Sequence, residues 1–382
     1  MNKIFSYIVF IFFSTGVFSQ ISDPVLITNI DSQTDETSGL VFHNGELWTH
    51  NDSGGEAALY SIDTTNGSII RTVSINNASN NDWEDICKDD NYLYIGDIGN
   101  NSGARDDLKI YRISLNDLEN PETESIEAEI INFAYNPEIY SGKFTNRNNT
   151  NFDCEAFIAF GDSLYLFSKN WLDNQSYLYA LPKNPGDYII SPRDTLNTNG
   201  LVCGADYDES SNTIAMIGYQ YGIPAPSLFF ILTDFANDDF FSGTFIRKEL
   251  ELNGCQTEAV VFRNSNRLWF TNEQFLTYTQ GLYYIDYNIQ PVKEFLSDPL
   301  FCNIYPNPAR NKINITFPCE KRKCKVNVEF ININGEKIKE DTFEVSKNNT
   351  TFEFDVSNIL PGKYMIRIFD KNLYFQTSLI KL

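Results

Sequence analysis

The strongest constraint on this chain is a unit that it repeats five times. An acidic residue opens a short apolar run, a tight polar turn follows, and a second apolar run ends in polar residues and glycines. In the second copy Glu84-Asp85-Ile86-Cys87 leads through Lys88-Asp89-Asp90-Asn91 to Leu93-Tyr94-Ile95-Gly96-Asp97. The other copies open at Glu36, Glu155, Asp206 and Glu258. Each has a third apolar run, such as Leu59-Tyr60-Ser61-Ile62, and four have a fourth, such as Ile69 to Ile75. The openers lie 48, 71, 51 and 52 residues apart, the long interval holding an insertion near 136–151. That is the spacing of propeller blades. The chain is rich in Phe and Tyr and has no long capped stretch of period 3.6, so an all-β fold is expected. The expectation is a β-propeller over residues 20–298, five blades by repeat count with six as the alternative. Val25-Leu26-Ile27-Thr28 precedes the first opener and is expected to close the ring as the outer strand of the last blade, which removes an open edge.

This arrangement would place the openers on one rim with the ends of the second runs. Those ends carry Asn51, Asp52, Asp97, Asn100, Lys169, Asn170, Tyr219, Asn272 and Glu273. Five carboxylates around one channel cannot all stay ionised without a cation or strong donors. Two readings follow. One is a hard metal ion, Ca²⁺ or Mg²⁺ by its oxygen ligands, held by Glu36, Glu84, Asp97, Glu155, Asp206 and Glu258. The other is structural, each carboxylate accepting backbone N–H groups of a neighbouring blade. The chain has two histidines, which excludes a histidine-rich zinc site. His43 falls in a turn on the opposite face. His50, with Asp52, is the candidate for proton transfer in a hydrolase, or else a packed channel residue. Neither a serine nucleophile elbow nor a P-loop is present. Trp48 and Trp269 hold equivalent repeat positions, which suits packing between blades better than a sugar platform.

Charge divides the chain. Residues 21–301 carry 15 Lys and Arg against 42 Asp and Glu, whereas residues 302–382 carry 13 against 9. The acidic body would repel nucleic acid and suits cations or solubility. Lys3, the apolar run Ile4 to Phe13 and the small-residue end Val17-Phe18-Ser19 form a secretory signal peptide over residues 1–19, too short to span a membrane comfortably. No transmembrane segment is expected in the mature chain. An exported chain can oxidise its seven cysteines. Cys203 and Cys255 precede their openers by three residues in adjacent repeats and are expected to pair. Cys319 and Cys324 can close a hairpin.

From residue 299 onward short alternating runs, Lys312 to Phe317, Lys325 to Ile333, Thr351 to Val356, Lys363 to Phe369 and Tyr374 to Ile380, point to a small β-sandwich over 299–382. Ile304-Tyr305-Pro306-Asn307-Pro308, Leu360-Pro361-Gly362-Lys363-Tyr364 and the end Leu379-Ile380-Lys381-Leu382 resemble the type A C-terminal sorting domain of the type IX secretion system. The resemblance implies a Bacteroidetes-type bacterium, a partner in the type IX machinery, and a place outside the cell or on the outer-membrane surface. It gives this domain no catalytic role. Asp82-Trp83-Glu84-Asp85-Ile86 and Gly96-Asp97-Ile98-Gly99-Asn100 resemble secreted phytase-like or NHL-type propellers. That likeness implies calcium in the channel and hydrolysis of phosphate or ester substrates, although this rim lacks the basic residues a phosphate-rich substrate needs. The functional expectation is an exported module that binds an extracellular carbohydrate, protein or small molecule with a structural cation. The alternative is a calcium-dependent hydrolase of esters or phosphate esters.

Overall fold

A computed structural model describes residues 18–140, 146–222, 225–275, 277–290, 303–316, 324–332, 337–345, 351–369 and 374–382. Two compact units are present, one over Ser19–Asn288 and one taking in Ile289–Leu382. The boundary expected at 298/299 lies outside the described residues, as do residues 1–17.

The described residues of the first unit form five antiparallel blades. Their inner strands are Thr37–His43, Trp83–Lys88, Cys154–Phe160, Leu201–Asp208 and Thr257–Asn264. Each pairs with the next strand in sequence, which pairs with the third. The ring closes as the repeat requires: Val25–Asn29 lies antiparallel to Gly281–Gln290, with Val25 opposite Tyr284 and Asn29 opposite Gly281. Phe18–Ile21 joins the same sheet, and the expected cleavage point after Ser19 falls within it. Two blades borrow an outermost strand from the following segment. Ser125–Ile126 runs parallel to Ile69–Ile75, and Gly186–Ile190 runs parallel to Glu129–Tyr135. These loans tie blades 1, 2 and 3 together through backbone hydrogen bonds.

Side chains alternate between the two sides of each blade, so apolar clusters fill the wedges between blades. Trp48, Trp83, Ile86 and Leu93 fill the wedge between blades 1 and 2. Phe157, Leu166 and Tyr179 join blade 3 to blade 2. Trp269 packs edge-on against Phe42, ring centres 6.0 Å apart, between blades 5 and 1. Trp48 and Trp269 are therefore packing residues.

The second unit pairs a three-stranded and a four-stranded sheet around Ile313, Val328, Phe330, Phe354 and Ile366. Lys337–Val345 is a strand that its sequence hardly announces, because its polar residues stay largely exposed. Among the described residues no helix is long and apolar enough to cross a membrane.

Candidate functional site

Every inner strand bulges near its start. The registers skip Ser38, Glu84, Glu155, Cys203 and Glu258, each left between two paired neighbours. A bulge re-aims the extra side chain, and here it marks the true repeat position. The registers align three levels around the channel mouth. Two residues before the bulge stand Glu36, Asp82, Asp153, Leu201 and Gln256. At the bulge stand Ser38, Glu84, Glu155, Cys203 and Glu258. At or just past the end of the partner strand stand Asp52, Ile98, Lys169, Tyr219 and Glu273. The mouth is acidic on blades 5, 1, 2 and 3 and carries no carboxylate at these positions on blade 4.

This corrects part of the expected ligand set. Glu84, Glu155 and Glu258 occupy equivalent places on the mouth. Glu36 sits one level further out and is exposed. Asp206 lies three residues beyond the bulge, where its carboxylate accepts the Phe262 N–H of blade 5 at 2.8 Å. Burial raises its pKa to about 7. Asp206 is thus an interblade acceptor and not a mouth residue. Asp97 is buried and accepts Arg105 Nη2 at 2.7 Å and the Asp82 N–H at 3.2 Å.

Three groups of acidic or thiol side chains have ligand atoms within 4.8 Å of one another: Asp52 with Asp82 and Glu84, Glu84 with Asp153 and Glu155, and Glu155 with Cys203 and Glu258. Their environments separate them. Asp153 is committed, accepting Asn100 N at 2.7 Å, Cys154 N at 3.1 Å and Trp171 Nε1 at 2.7 Å. Glu155 is paired with the buried Lys169 ammonium. Lys169 Nζ also stands 5.0 Å from the Trp171 ring centre and 4.9 Å from that of Tyr219. Burial works against that ammonium, but Cys203 and Glu155 hold its pKa well above the ordinary value.

The first group has no such partner. Asp52 Oδ1 is buried without a hydrogen bond. Arg105 is bound to Asp97 and Asp107 and Lys169 to Glu155, and Arg105 and Arg147 reach Asp82 through their charge, which pulls against its raised pKa. Burial and the neighbouring Asp82 and Glu258 charges raise the Asp52 pKa to about 8. Burial, then Asp153, raises Asp82 to about 6. Burial and Glu155 push Glu84 well up, and burial and Glu258 do the same for Glu273.

Gly99 shapes this group. A Cβ there would lie 1.9 Å from Glu84 Oε1 and 2.5 Å from Asp82 Oδ2. Its loop is fixed by Asn100, whose Oδ1 accepts the N–H groups of Ala104 and Arg105, both at 2.9 Å. Gly99→Ala is expected to push both carboxylates aside at a cost of about 1–3 kcal/mol. Cation affinity should fall further than stability does, as calcium titration beside thermal melting would show.

Just after each bulge the inner strands carry Gly39, Asp85, Ala156, Gly204 and Ala259. Asp85 alone is large and polar, and it is fully buried. Its Oδ1 accepts Ile86 N at 2.9 Å, and its Oδ2 accepts Phe157 N at 3.2 Å and Ala205 N at 3.1 Å. One carboxylate thus joins the inner strands of blades 2, 3 and 4. The structural reading of the acidic residues applies to Asp85 and Asp206.

His50 is fully buried beside Gly39, edge-on to Trp83 with ring centres 5.5 Å apart. Its Nδ1 lies 2.9 Å from the Asn51 carbonyl oxygen, and burial lowers its pKa to about 4. It is a packed, neutral residue. The expected Cys203–Cys255 bridge is not formed: both thiols are free and buried. The bulge turns Cys203 towards the carboxylates of Glu155 and Glu258. Cys319 lies outside the described residues, so the hairpin bridge to Cys324 does too.

Beside the mouth, where blade 4 lacks acids, a cavity of about 550 Å³ opens between Trp171, Tyr219, Tyr221 and Gln256.

Comparison with known proteins places the C-terminal unit. Residues 303–381 match the family described as a secretion system C-terminal sorting domain. The chain is therefore exported, to the outside or to the cell surface, by the type IX route. No curated protein sequence matches. Among solved structures, the extracellular domain of a one-component system from B. thetaiotaomicron aligns at 12% identity over 94% of this chain, with a TM-score of 0.32. The chain spans 59% of the length of that domain. An exo-β-1,3-galactanase from Phanerochaete chrysosporium, bound to β-1,3-galactotriose, aligns at 11% identity over 94% of this chain and 99% of its own, with a TM-score of 0.43.

Proposed function

We propose that the propeller is an extracellular binding module whose acidic mouth holds one calcium ion on Asp52, Asp82 and Glu84. One observation carries the reading: three carboxylates with ligand atoms within 4.8 Å of one another, one of them with a buried oxygen that has no hydrogen-bond partner. Like charges so close are tolerated only when protons or a cation intervene. An all-oxygen set suits a hard ion with flexible coordination, which favours Ca²⁺ over the smaller, more exacting Mg²⁺. The other two groups suit it less. Asp153 is saturated with donors, Glu155 holds an ammonium, and Cys203 brings a soft sulfur ligand.

Binding is favoured over catalysis because the mouth lacks a ready proton carrier of the histidine kind. His50 is sealed in the wall and stays neutral. The alternative, calcium-dependent hydrolysis of esters or phosphate esters, has one observation in its favour. In the ion-free site Asp52, with its pKa raised to about 8, is protonated beside Glu84, so a hydrolase would use it as the acid and leave the ion to Asp82 and Glu84. Incubation of the calcium-loaded full chain with a panel of chromogenic esters and phosphate esters separates the two. The binding reading expects no turnover above the calcium-only background. Turnover that disappears in Asp52→Asn would replace it with the hydrolase.

A further inference from the structure

The cavity beside the mouth has a chemistry of its own, and it lies where the acidic ring is interrupted. Blade 4 brings Leu201, Cys203 and Tyr219 to the three levels that carry acids elsewhere. The walls of the opening are Trp171, Tyr219, Tyr221 and Phe275, and Asn148 and Gln256 line it too, Gln256 Nε2 donating to the Tyr219 hydroxyl at 3.4 Å. Trp171 and Tyr221 meet at 87° with ring centres 5.5 Å apart, which makes a corner of two aromatic faces. Tyr221 is 71% exposed and the adjoining Leu172 60%, a large apolar surface to leave in water without use. A volume of about 550 Å³ falls within the usual range for small-molecule sites.

Charge narrows the ligand. Among the described residues the lining carries no ionised side chain. A cationic guest would compete with Lys169, whose ammonium already lies over Trp171 and Tyr219. An anionic guest would meet Glu155, Glu258 and Glu273 behind the wall, with the nearby ammonium already spent on Glu155. What remains is an uncharged molecule with an apolar face for the rings and hydroxyls for the amides.

We infer that the blade-4 cavity binds the end of a neutral hexose oligosaccharide, one pyranose ring lying in the Trp171–Tyr221 corner with its hydroxyls on the Asn148 and Gln256 amides. This rests on the reading of the propeller as a binding module and names its ligand class. It does not depend on the calcium assignment. Aromatic anchors of this kind carry much of the energy of a small interface.

The test uses the full chain on a printed array of neutral, uronate-bearing and amino-sugar glycans, followed by titration with the best neutral oligosaccharide. Tyr221→Ala is expected to weaken binding about tenfold or more, the loss typical of a truncated anchor. Tyr221→Phe, which keeps the ring, is expected to retain it. Because Tyr221 is exposed, both variants should melt with the wild type. Calcium titration of the same samples should be unchanged by either substitution, so a failure here is distinguishable from failure of the cation assignment. An array without neutral-glycan binding, binding confined to uronates or amino sugars, or affinity untouched by Tyr221→Ala would each overturn the inference.

Discussion

Asp85→Ala is expected to destabilise the propeller by about 4 kcal/mol, because it strands three buried N–H groups at once. Those of Ile86, Phe157 and Ala205 all end on this carboxylate, and they belong to three different blades. Each orphaned donor costs ~1–3 kcal/mol, less whatever an entering water restores. For a domain of this size a loss of that order lowers Tm by about 10 °C. Burial raises the Asp85 pKa well above the ordinary value while the three donors pull it down, so the group is held by geometry more than by charge. Asp85→Asn keeps one acceptor oxygen and presents an amide N–H₂ to the donors on the other side. It should recover part of the loss but not all of it. A melting temperature within about 2 °C of wild type for Asp85→Ala would show that the propeller does not depend on this residue.

The second large effect concerns pH and is opposite in sign to ordinary acid denaturation. Asp82 and Asp52 have folded pKa values near 6 and 8, against an ordinary value of 3.8. Such groups bind more protons folded than unfolded, so stability is greatest below about pH 4 and is lost as pH rises through 6 and 8. The shift of Asp82 corresponds to roughly 3 kcal/mol, to be discounted because its side chain is partly exposed. Glu84, Glu155 and Glu273 shift in the same direction and titrate with them as a cluster. Metal-free protein is therefore expected to melt higher at pH 5 than at pH 8. Calcium should reverse this. At a concentration a thousandfold above its Kd it adds about 4 kcal/mol, and it binds the ionised carboxylates that predominate at high pH. Melting curves of EDTA-treated chain at both pH values, with and without calcium, check the crossover. A metal-free Tm that rises from pH 5 to pH 8 would contradict the assigned environment.

The blade plan was legible because it is written in hydrophobic alternation and turn residues, which every copy keeps. Even the closing strand, Val25–Asn29, could be assigned, since nothing else in the chain could use it. The mouth was harder to read. A strand read at period two has no place for a bulge, yet each inner strand spends one residue on it. The bulge positions also do not share one residue type, for blades 1 and 4 place Ser38 and Cys203 where the others place glutamate. A pattern of acids alone therefore points to Glu36 and Asp206 in those two blades. The signal for the missed residues lay in acid-x-acid pairs, Asp82-Trp83-Glu84 and Asp153-Cys154-Glu155, with Glu36-Thr37-Ser38 as the partial third. The repeat places Lys169 and Tyr219 on the rim, but no sequence pattern shows that one caps Glu155 and that the other stands in a gap of the acidic ring.

In the proposed site Asp52, Asp82 and Glu84 share one calcium ion. Calorimetric titration of calcium into the metal-free full chain, wild type beside Glu84→Gln, tests it most directly. Uptake of about one ion per chain is expected, with release of protons near neutral pH and affinity at least about tenfold weaker in the variant, which should still fold. Absence of uptake by the wild type, or uptake indifferent to Glu84→Gln, would contradict it.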